Sequence, residues 1–330
     1  MNKTRIFAVI GLAHPHIYGM CNGLIDAGAK LKYVYDDDEN LVKAFINTFP
    51  NTKIADSIDE ILSDNDVTLI ASAEIPSKRA DLAIKCMNAE KDFFVDKVPF
   101  TLEEDYNAIL DTIKKTKRNY YVFYSESITN AVTLYAFNLI KNGVIGDVFH
   151  IEGTAPHRHN PSSRPAWFYE KQYTGGIITD IGSQQIHQFL KICDTTDVEI
   201  DCARIKNYNN PQHTQFDDFG DFSLTAKNGI TGYFRIDWSS PDGLGTWGDV
   251  RLIVEGSKGH MELRKNCNVG FDNLENHIII VTNDGVKHEI VKDDCAVTLF
   301  SDIVSGVYIN PSLDLKTALI AIKTQKIAER

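Results

Sequence analysis

The sequence contains no pair of cysteines at the spacing of a metal site or a disulfide framework. Its six cysteines stand apart along the chain, and no CxxC motif occurs among them. Such scattered thiols indicate neither bound zinc nor disulfide bonds. We therefore predict reduced cysteines and no metal site. The six are Cys21, Cys86, Cys193, Cys202, Cys267 and Cys295.

Long apolar runs and low-complexity segments are also lacking. The apolar run near the N-terminus, residues 6–11, is too short for the apolar core of a signal peptide, so we expect a cytoplasmic protein without a membrane partner. Of the 330 residues, 43% are hydrophobic and 24% are charged. This balance predicts a soluble globular chain of about two domains.

Positive charge is in deficit along the chain. The 34 lysines and arginines are outnumbered by 45 acidic residues, which gives a formal net charge of −11. This charge argues against a nucleic-acid partner and against an anionic membrane surface. It does not exclude a nucleotide held locally by main-chain N–H groups.

Strand-like and helical patterns alternate through the first 125 residues, which predicts βαβ crossovers and a parallel, doubly wound sheet. From residue 126 onward, strand-like runs follow one another with little helix between them. That order predicts an α+β domain with a large, mostly antiparallel sheet. We therefore predict an α/β fold with a dinucleotide-binding Rossmann domain (1–125) and a substrate-binding and oligomerisation domain (126–330). A terminal helix, 313–330, is expected to pack back on the first domain.

The first predicted strand ends at Gly11 and is followed by a helical pattern, the order that opens a dinucleotide-binding unit. The glycine fingerprint of such units is incomplete, because Ala13 and His16 occupy its second and third positions. Pro15 has no N–H to offer a phosphate. Taken alone, the loop is compatible with a nucleotide cradle and with an ordinary βα turn.

A carboxylate follows the second predicted strand, which covers residues 31–35. Asp36 stands at its end, where a carboxylate can accept hydrogen bonds from a ribose diol and repel a 2′-phosphate. This position favours NAD over NADP. Asp37 and Asp38 are better explained as caps of the next helix.

The run Lys91–Phe100 reads as a buried strand that ends in Asp96 and Lys97. Ligands bind at the carboxyl ends of the strands in open α/β sheets, so the ammonium of Lys97 is a candidate donor to a ligand oxygen. An isolated Asp-Lys pair is more often a solvated turn.

A glycine pair, Gly175-Gly176, introduces the longest helix that interrupts the strands of the second half. Apolar residues of this helix fall on one face and polar residues on the other. A carboxylate, an amide and an imidazole one turn apart suit the binding and deprotonation of a hydroxyl, although a plain amphipathic helix has the same pattern. The apolar set is Ile186, Phe189, Leu190 and Cys193, and the polar set is Asp180, Gln184, His187 and Lys191.

The loop upstream of that helix is rich in arginine, histidine and aromatic residues. Such a mixture binds polar rings or carboxylates through forked hydrogen bonds and stacking, or it anchors the loop to the core. The candidates for substrate contacts are His157, Arg158, Arg164 and Trp167.

Together these segments resemble the Gfo/Idh/MocA family of oxidoreductases over essentially the whole chain. The resemblance rests on the turn at Gly11, on Asp96-Lys97 in place of the family's Glu-Lys-Pro, and on the glycine pair followed by Asp180. It implies an N-terminal Rossmann domain and a C-terminal domain whose open sheet often builds oligomers, here a homodimer or homotetramer. It also implies hydride transfer between NAD(P) and the carbinol of a sugar or polyol.

Matched by position, Lys97 is similar to the family's catalytic lysine and Asp180 to its substrate-binding carboxylate. Gln184 occupies the position of the family's proton-accepting histidine, and an amide is no general base at neutral pH. We hypothesise that His187, one turn further on, takes over the proton directly or through a water. The expected cofactor contacts are Gly11, Ala13, His14, His16, Asp36, Glu74, Asp96 and Lys97.

The leading function is therefore an NAD-dependent dehydrogenase that acts on a sugar, a polyol or a related hydroxy compound. One alternative is an enzyme of the same family that cycles NAD while it cleaves a glycosidic bond. Another is a non-catalytic protein that binds a sugar or a nucleotide, which the loss of the base at Gln184 favours.

Overall fold

The structure is a computed structural model that describes residues 4–270, 274–292 and 298–330. It contains two compact units. The first unit comprises Met1–Phe123 and Val297–Leu315, and the second comprises Tyr124–Ala296 and Lys316–Arg330. Cys295 lies outside the described residues. Within the described ranges, no helix has the length and apolar character needed to cross a membrane.

Fourteen strands and eleven α-helices are assigned within the described residues. The strands are β1 (Ile6–Ile10), β2 (Lys30–Tyr35), β3 (Lys53–Ile54), β4 (Val67–Ser72), β5 (Asp92–Asp96), β6 (Tyr120–Phe123), β7 (Val148–Pro156), β8 (Val198–Lys206), β9 (Phe219–Ala226), β10 (Thr231–Asp237), β11 (Val250–Gly256), β12 (Gly259–Lys265), β13 (Asn276–Thr282) and β14 (Gly285–Val291). The helices are α1 (His16–Asp26), α2 (Glu39–Thr48), α3 (Ile58–Ser63), α4 (Arg79–Asn88), α5 (Glu103–Thr116), α6 (Ser125–Ile128), α7 (Ala131–Lys141), α8 (Lys171–Thr174), α9 (Ser183–Cys193), α10 (Leu299–Ser305) and α11 (Ser312–Ala328).

The first unit is built on a six-stranded parallel sheet in the order β3-β2-β1-β4-β5-β6. The strand order reverses between β1 and β4, because the chain first adds strands on one side of β1 and then on the other. Such a reversal opens a crevice at the carboxyl ends of the strands, where doubly wound proteins bind their ligands. The predicted doubly wound sheet is confirmed.

Strand β5 lies inside this sheet and is buried on both faces. Phe93 and Phe94 point to opposite sides of the strand, and both are 0% exposed. A parallel strand needs this composition because the crossover helices cover both faces of the sheet. The apolar run that ends at Asp96 and Lys97 is therefore a central strand, as its sequence predicts.

The second unit contains an eight-stranded sheet in the order β14-β13-β12-β11-β7-β10-β9-β8. All neighbouring strands run antiparallel except β7 and β10, which run parallel over Thr231 to Asp237. The predicted large, mostly antiparallel sheet is confirmed.

Gly11 is needed for the packing of two loops in the first unit. Its φ is +87°, and a Cβ at this position would lie 2.6 Å from the Cβ of Glu74. A carbon–carbon distance this short is a steric clash, and the left-handed backbone also disfavours a side chain. A larger residue at position 11 would therefore require the β4–α4 loop to move.

We expect Gly11→Ala to lower the free energy of unfolding by about 2–4 kcal/mol, because it combines a left-handed alanine with overpacking. Gly19→Ala is the matched control, since nothing lies within 4 Å of a Cβ built at that exposed position in α1. It should raise stability by up to about 1 kcal/mol through helix propensity. Urea unfolding of both variants measures the difference, and equal stabilities would contradict this account of Gly11.

Candidate functional site

The loop between β1 and α1 is tied to the end of β2 through a carboxylate. Asp36, half-buried, accepts a hydrogen bond from the main-chain N–H of Leu12 at 2.7 Å through Oδ2. Its Oδ1 accepts one from the N–H of Asp38 at 2.8 Å. Each oxygen of a carboxylate has a second lone pair, so Asp36 keeps capacity to accept a ribose hydroxyl. Asp36, the residue predicted to accept the ribose hydroxyls, therefore lies at the strand end where a bound dinucleotide would place its ribose.

The same loop offers a phosphate fewer main-chain donors than a glycine-rich loop does. The N–H of His14 donates to the carbonyl of Ala73 at 3.0 Å, and the N–H of His16 donates to Nδ1 of His14 at 3.2 Å. Pro15 has no N–H, and Ala13 is half-buried beside these residues. The residues present thus fit a dinucleotide, but Ala13 and His16 stand where the usual fingerprint has glycines, and His14 adds a second imidazole beside them.

Two histidines of this loop face one buried carboxylate. Nδ1 of His16 lies 2.8 Å from Oδ1 of Asp96, and Nδ1 of His14 lies 3.3 Å from Oδ2. Burial and the adjacent His16 lower the pKa of His14 well below its usual value, against the opposing charge of Asp96. Burial alone would raise the pKa of Asp96, but the charges of His16 and His14 outweigh it and lower that pKa strongly.

A buried arginine fixes the backbone that carries Lys97. The Arg79 side chain is 1% exposed, and its Nη1 donates to the carbonyl oxygens of Asp96, Lys97 and Val98 at 3.0, 2.5 and 3.0 Å. Its Nη2 also lies 3.3 Å from Oδ2 of Asp96. Lys97 itself is 8% exposed. The residues after β5 are therefore a rigid, buried strand end rather than a solvated turn.

Glu74 lies on the neighbouring loop after β4. Its carbonyl accepts a hydrogen bond from Nε of Arg79 at 2.6 Å, and its carboxylate accepts one from the N–H of Ile75 at 2.6 Å. Burial raises the pKa of Glu74, although the hydrogen bond from Ile75 works in the opposite direction. Glu74 therefore joins the loops after β1, β4 and β5 at the carboxyl edge of the sheet.

In the second unit, the glycine pair shapes the turn before α9. A Cβ on Gly176, whose φ is +89°, would lie 2.4 Å from the side-chain amide of Gln325. That amide oxygen accepts the N–H of Ile178 at 2.9 Å. Residues Ile178–Gly182 then form a π-helical turn that contains Asp180. The extra residue of a π turn changes the direction of Asp180 relative to α9, so the single polar helix face expected from the sequence is not formed.

The alternative of a plain amphipathic helix with a solvated face does not describe α9, because most of its polar side chains are buried. Gln184, Gln185, His187 and Gln188 are each at most 3% exposed. Nε2 of Gln184 donates to Oγ of Ser125 at 3.1 Å, whereas its Oε1 is a buried acceptor without a hydrogen-bond partner. Gln184 thus has one oxygen to offer to a hydroxyl.

His187 is held between two residues of the segment after β6. Its Nδ1 is hydrogen-bonded to the hydroxyl of Ser127. Its ring stacks on Tyr124 with centroids 4.4 Å apart and planes 14° from parallel. Because the imidazole is 1% exposed, it does not present a free face to bulk solvent.

A buried ion pair lies next to this histidine and was not expected from the sequence. Nζ of Lys265, 0% exposed, lies 3.4 Å from Oε2 of Glu126. Gln185 donates to Oε2 of Glu126 at 3.0 Å, and Gln188 both donates to Glu126 and accepts from Lys265. Burial alone would raise the pKa of Glu126, but the charge of Lys265 outweighs it and lowers that pKa. Burial lowers the pKa of Lys265, against the charge of Glu126.

The arginine-rich loop after β7 is anchored by its own carbonyls and by aromatic rings. The guanidinium of Arg164 lies 4.5 Å from the ring centre of Phe168 and 4.9 Å from that of Trp238. Its Nε donates to the carbonyl of His159 at 2.9 Å. Burial lowers the pKa of Arg164, whereas the charge of Asp180 acts to raise it. Phe168, Trp238 and Asp180 also line one small cavity.

The other predicted substrate contacts lie elsewhere on this loop. His157 contacts the rings of Trp238 and Trp247 at centroid distances of 5.5 and 4.6 Å. Arg158 donates from Nη2 to the carbonyl of Asp242 at 3.1 Å. Trp167 is half-buried. Among the ring contacts of the described residues, it makes one, an edge-to-face contact with Phe168. The structure therefore brings Arg164 and Asp180 together and directs His157 and Arg158 toward the Trp247 turn.

Comparison with known proteins agrees with this architecture. A sequence model of the GFO/IDH/MocA C-terminal domain matches residues 133–262. A protein from Erwinia carotovora atroseptica, described as an oxidoreductase, is 37% identical, and the match covers 98% of this chain and 99% of that one with a TM-score of 0.95. The chain belongs to the Gfo/Idh/MocA family of oxidoreductases.

Two more distant structures share the fold of this Gfo/Idh/MocA chain. Levoglucosan dehydrogenase in complex with NADH is 16% identical, with a TM-score of 0.80 and coverage of 99% of this chain and 97% of that one. A 3-ketoreductase from Actinomadura kijaniata in complex with NADP is 14% identical, with a TM-score of 0.78 and coverage of 97% and 96%. At these identities the likeness shows a shared fold.

We expect Lys265→Met to lower the free energy of unfolding of this family member by about 3–5 kcal/mol, because it leaves Glu126 buried without its counter-charge. Adding Glu126→Gln should restore much of that loss, since no buried charge is then left unpaired. Lys258→Met, at an exposed turn, is the control and should have little effect. Urea unfolding measures these variants and Glu126→Gln alone, and losses of the two single variants that simply add in the double variant would contradict the coupling.

Proposed function

We propose that the protein is an NAD-dependent oxidoreductase that transfers a hydride between the nicotinamide cofactor and a carbinol carbon of a sugar, a polyol or a related hydroxy compound. The observation that carries the proposal is the buried strand end after β5. It presents Lys97 at the carboxyl edge of a doubly wound sheet, beside the loop that follows β1. NADH and NADP complexes of proteins with the same fold support the cofactor class.

Residues of the first unit are proposed to hold the cofactor. Asp36 accepts the ribose diol, and the loop of Gly11, Ala13, His14 and His16 lies where the pyrophosphate approaches the N-terminus of α1. Glu74 packs against this loop at Gly11. Asp96 contacts its two histidines and directly precedes Lys97. When bound, the nicotinamide supplies the hydride acceptor or donor, which no protein side chain can supply.

We assign the reaction's proton transfer to Lys97. An amine or ammonium can exchange a proton with a carbinol oxygen, whereas the amide of Gln184 cannot at neutral pH. Gln184 and Asp180 are assigned to hydrogen bonding of substrate hydroxyls, for which the unpartnered Oε1 of Gln184 is suited. That His187 accepts the proton stays a prediction. Because its imidazole is buried against Tyr124, we favour Lys97 for this role.

A second candidate function is the binding of a sugar or a nucleotide without turnover. The amide of Gln184 at the family's histidine position favours it, because a chain that has lost its base can keep the fold and its ligands. Release of NADH with any polyol would exclude this candidate. Cleavage of a glycoside that needs NAD but releases no NADH would instead indicate cofactor cycling.

Binding of the cofactor gives the first test. Titration of tryptophan fluorescence should show saturable binding of NADH and at least about tenfold weaker binding of NADPH, because the carboxylate of Asp36 repels a 2′-phosphate. Asp36→Asn should reduce this preference, since it keeps the shape of the side chain and removes its charge. Asp37→Asn, at an exposed neighbour, is the control and should keep the preference. Absence of binding by either nucleotide would refute the dinucleotide assignment.

Turnover gives the second test. We expect Lys97→Met to lower kcat in a sugar and polyol screen by at least about 100-fold, because general acid–base catalysis contributes on that scale. NADH affinity should change much less. Lys78→Met, at an exposed position before α4, is the control. If Lys97→Met turns over at the wild-type rate and His187→Ala does not, the proton passes through His187 instead.

A further inference from the structure

The strongest unassigned feature is the His–Asp cluster, which consists of His14, His16 and Asp96. One ligand atom from each residue lies within 4.8 Å of the other two. The carboxylate belongs to the buried end of β5 and is 0% exposed, whereas the two imidazoles are 27% and 32% exposed. The three groups therefore converge from rigid elements and leave one side open.

The contact between His14 and Asp96 is not a hydrogen bond, because neither of the two facing atoms carries a hydrogen. Nδ1 of His14 accepts the main-chain N–H of His16, so it carries a lone pair rather than a hydrogen. The same atom faces Oδ2 of Asp96 at 3.3 Å. Two acceptors then face each other. Oδ2 also accepts a hydrogen bond from Nη2 of Arg79 at 3.3 Å, so the contact still lacks a positive charge on its His14 side, where a cation would relieve it.

We propose that the His–Asp cluster binds a divalent transition-metal ion, with zinc as the best match. Imidazole and carboxylate are the nitrogen and oxygen ligands that zinc takes, and bonds of about 2.0–2.1 Å in a tetrahedron place neighbouring ligand atoms about 3.3 Å apart. Nδ1 of His14 already lies this far from Oδ2 of Asp96, at 3.3 Å. His16 faces the other carboxylate oxygen, Oδ1, so a metal would contact both oxygens of Asp96 or draw one imidazole toward the oxygen that faces the other. The 2.8 Å contact between His16 and Asp96 lengthens slightly when the metal replaces its shared proton.

The surroundings of the cluster set its affinity. Arg79 holds the Asp96 carboxylate from behind, as outer-shell donors hold metal ligands. Its positive charge also opposes a second cation at short range. The site has three protein ligands and an open position, and Arg79 repels the ion. We therefore expect a Kd for Zn²⁺ on the order of micromolar, much weaker than that of closed structural zinc sites.

Metal titration of the full chain tests the proposal without nucleotide, so its result does not depend on the proposed hydride transfer. Protein freed of metal with a chelator and then desalted is titrated with Zn²⁺ by calorimetry. Co²⁺ is used in parallel, because a four-coordinate site gives it a strong visible absorption. We expect one equivalent to bind in the wild-type protein.

Variants identify the ligands. His14→Ala and His16→Ala should each weaken Zn²⁺ binding by at least about 10–100-fold, since loss of an outer-shell partner alone costs that much. His260→Ala, which removes an exposed imidazole from β12, should leave the affinity unchanged. Circular dichroism confirms that the variants fold. Both loop histidines are partly exposed, so their replacement should be tolerated. The proposal fails if the wild-type protein binds no stoichiometric metal, or if binding survives both substitutions.

Discussion

A single buried guanidinium holds together the carboxyl edge of the first sheet. Arg79 donates to carbonyls on both sides of Lys97 and, through Glu74, to the loop after β4. Hydrogen bonds from a charged donor are each worth about 1.5–3 kcal/mol, and loss of the side chain would remove a charged donor from each of these carbonyls. The position of Lys97, of Asp96 and of the histidines that face Asp96 all depends on this arginine.

Much of the fold could be predicted because it is encoded locally. The predicted strands that end at Gly11, at residue 35 and at Asp96 are found as β1, β2 and β5, since short strand-like runs bounded by turn residues indicate the strands of a parallel sheet. Asp36 and Lys97 could also be placed, because a residue that follows a predicted strand must lie at the carboxyl edge of the sheet. Their chemical roles remain predictions.

The remaining features depend on contacts between distant residues. Nothing near Lys265 in the sequence indicates that it pairs with Glu126, 139 residues earlier. Arg79 resembles an ordinary charged residue at a helix start. The π turn at Ile178–Gly182 has no periodicity of its own, which is why the polar residues before and within α9 were assigned to one face. In the loop after β1, the sequence places Ala13 and His16 at the second and third glycine positions of the fingerprint, and only the fold brings Asp96 to His14 and His16.

The one parallel pair in the second sheet has a consequence for how this protein can change. Because β7 and β10 run in the same direction, the loops that follow them leave the sheet side by side. The N–H of His157 donates to the carbonyl of Asp237 at 2.7 Å, and the rings of Trp238 and Trp247 contact His157. Neither loop can be altered without changing the packing of the other. A substitution at this contact therefore acts on both loops at once, while the parallel pairing of β7 and β10 beneath them keeps its register.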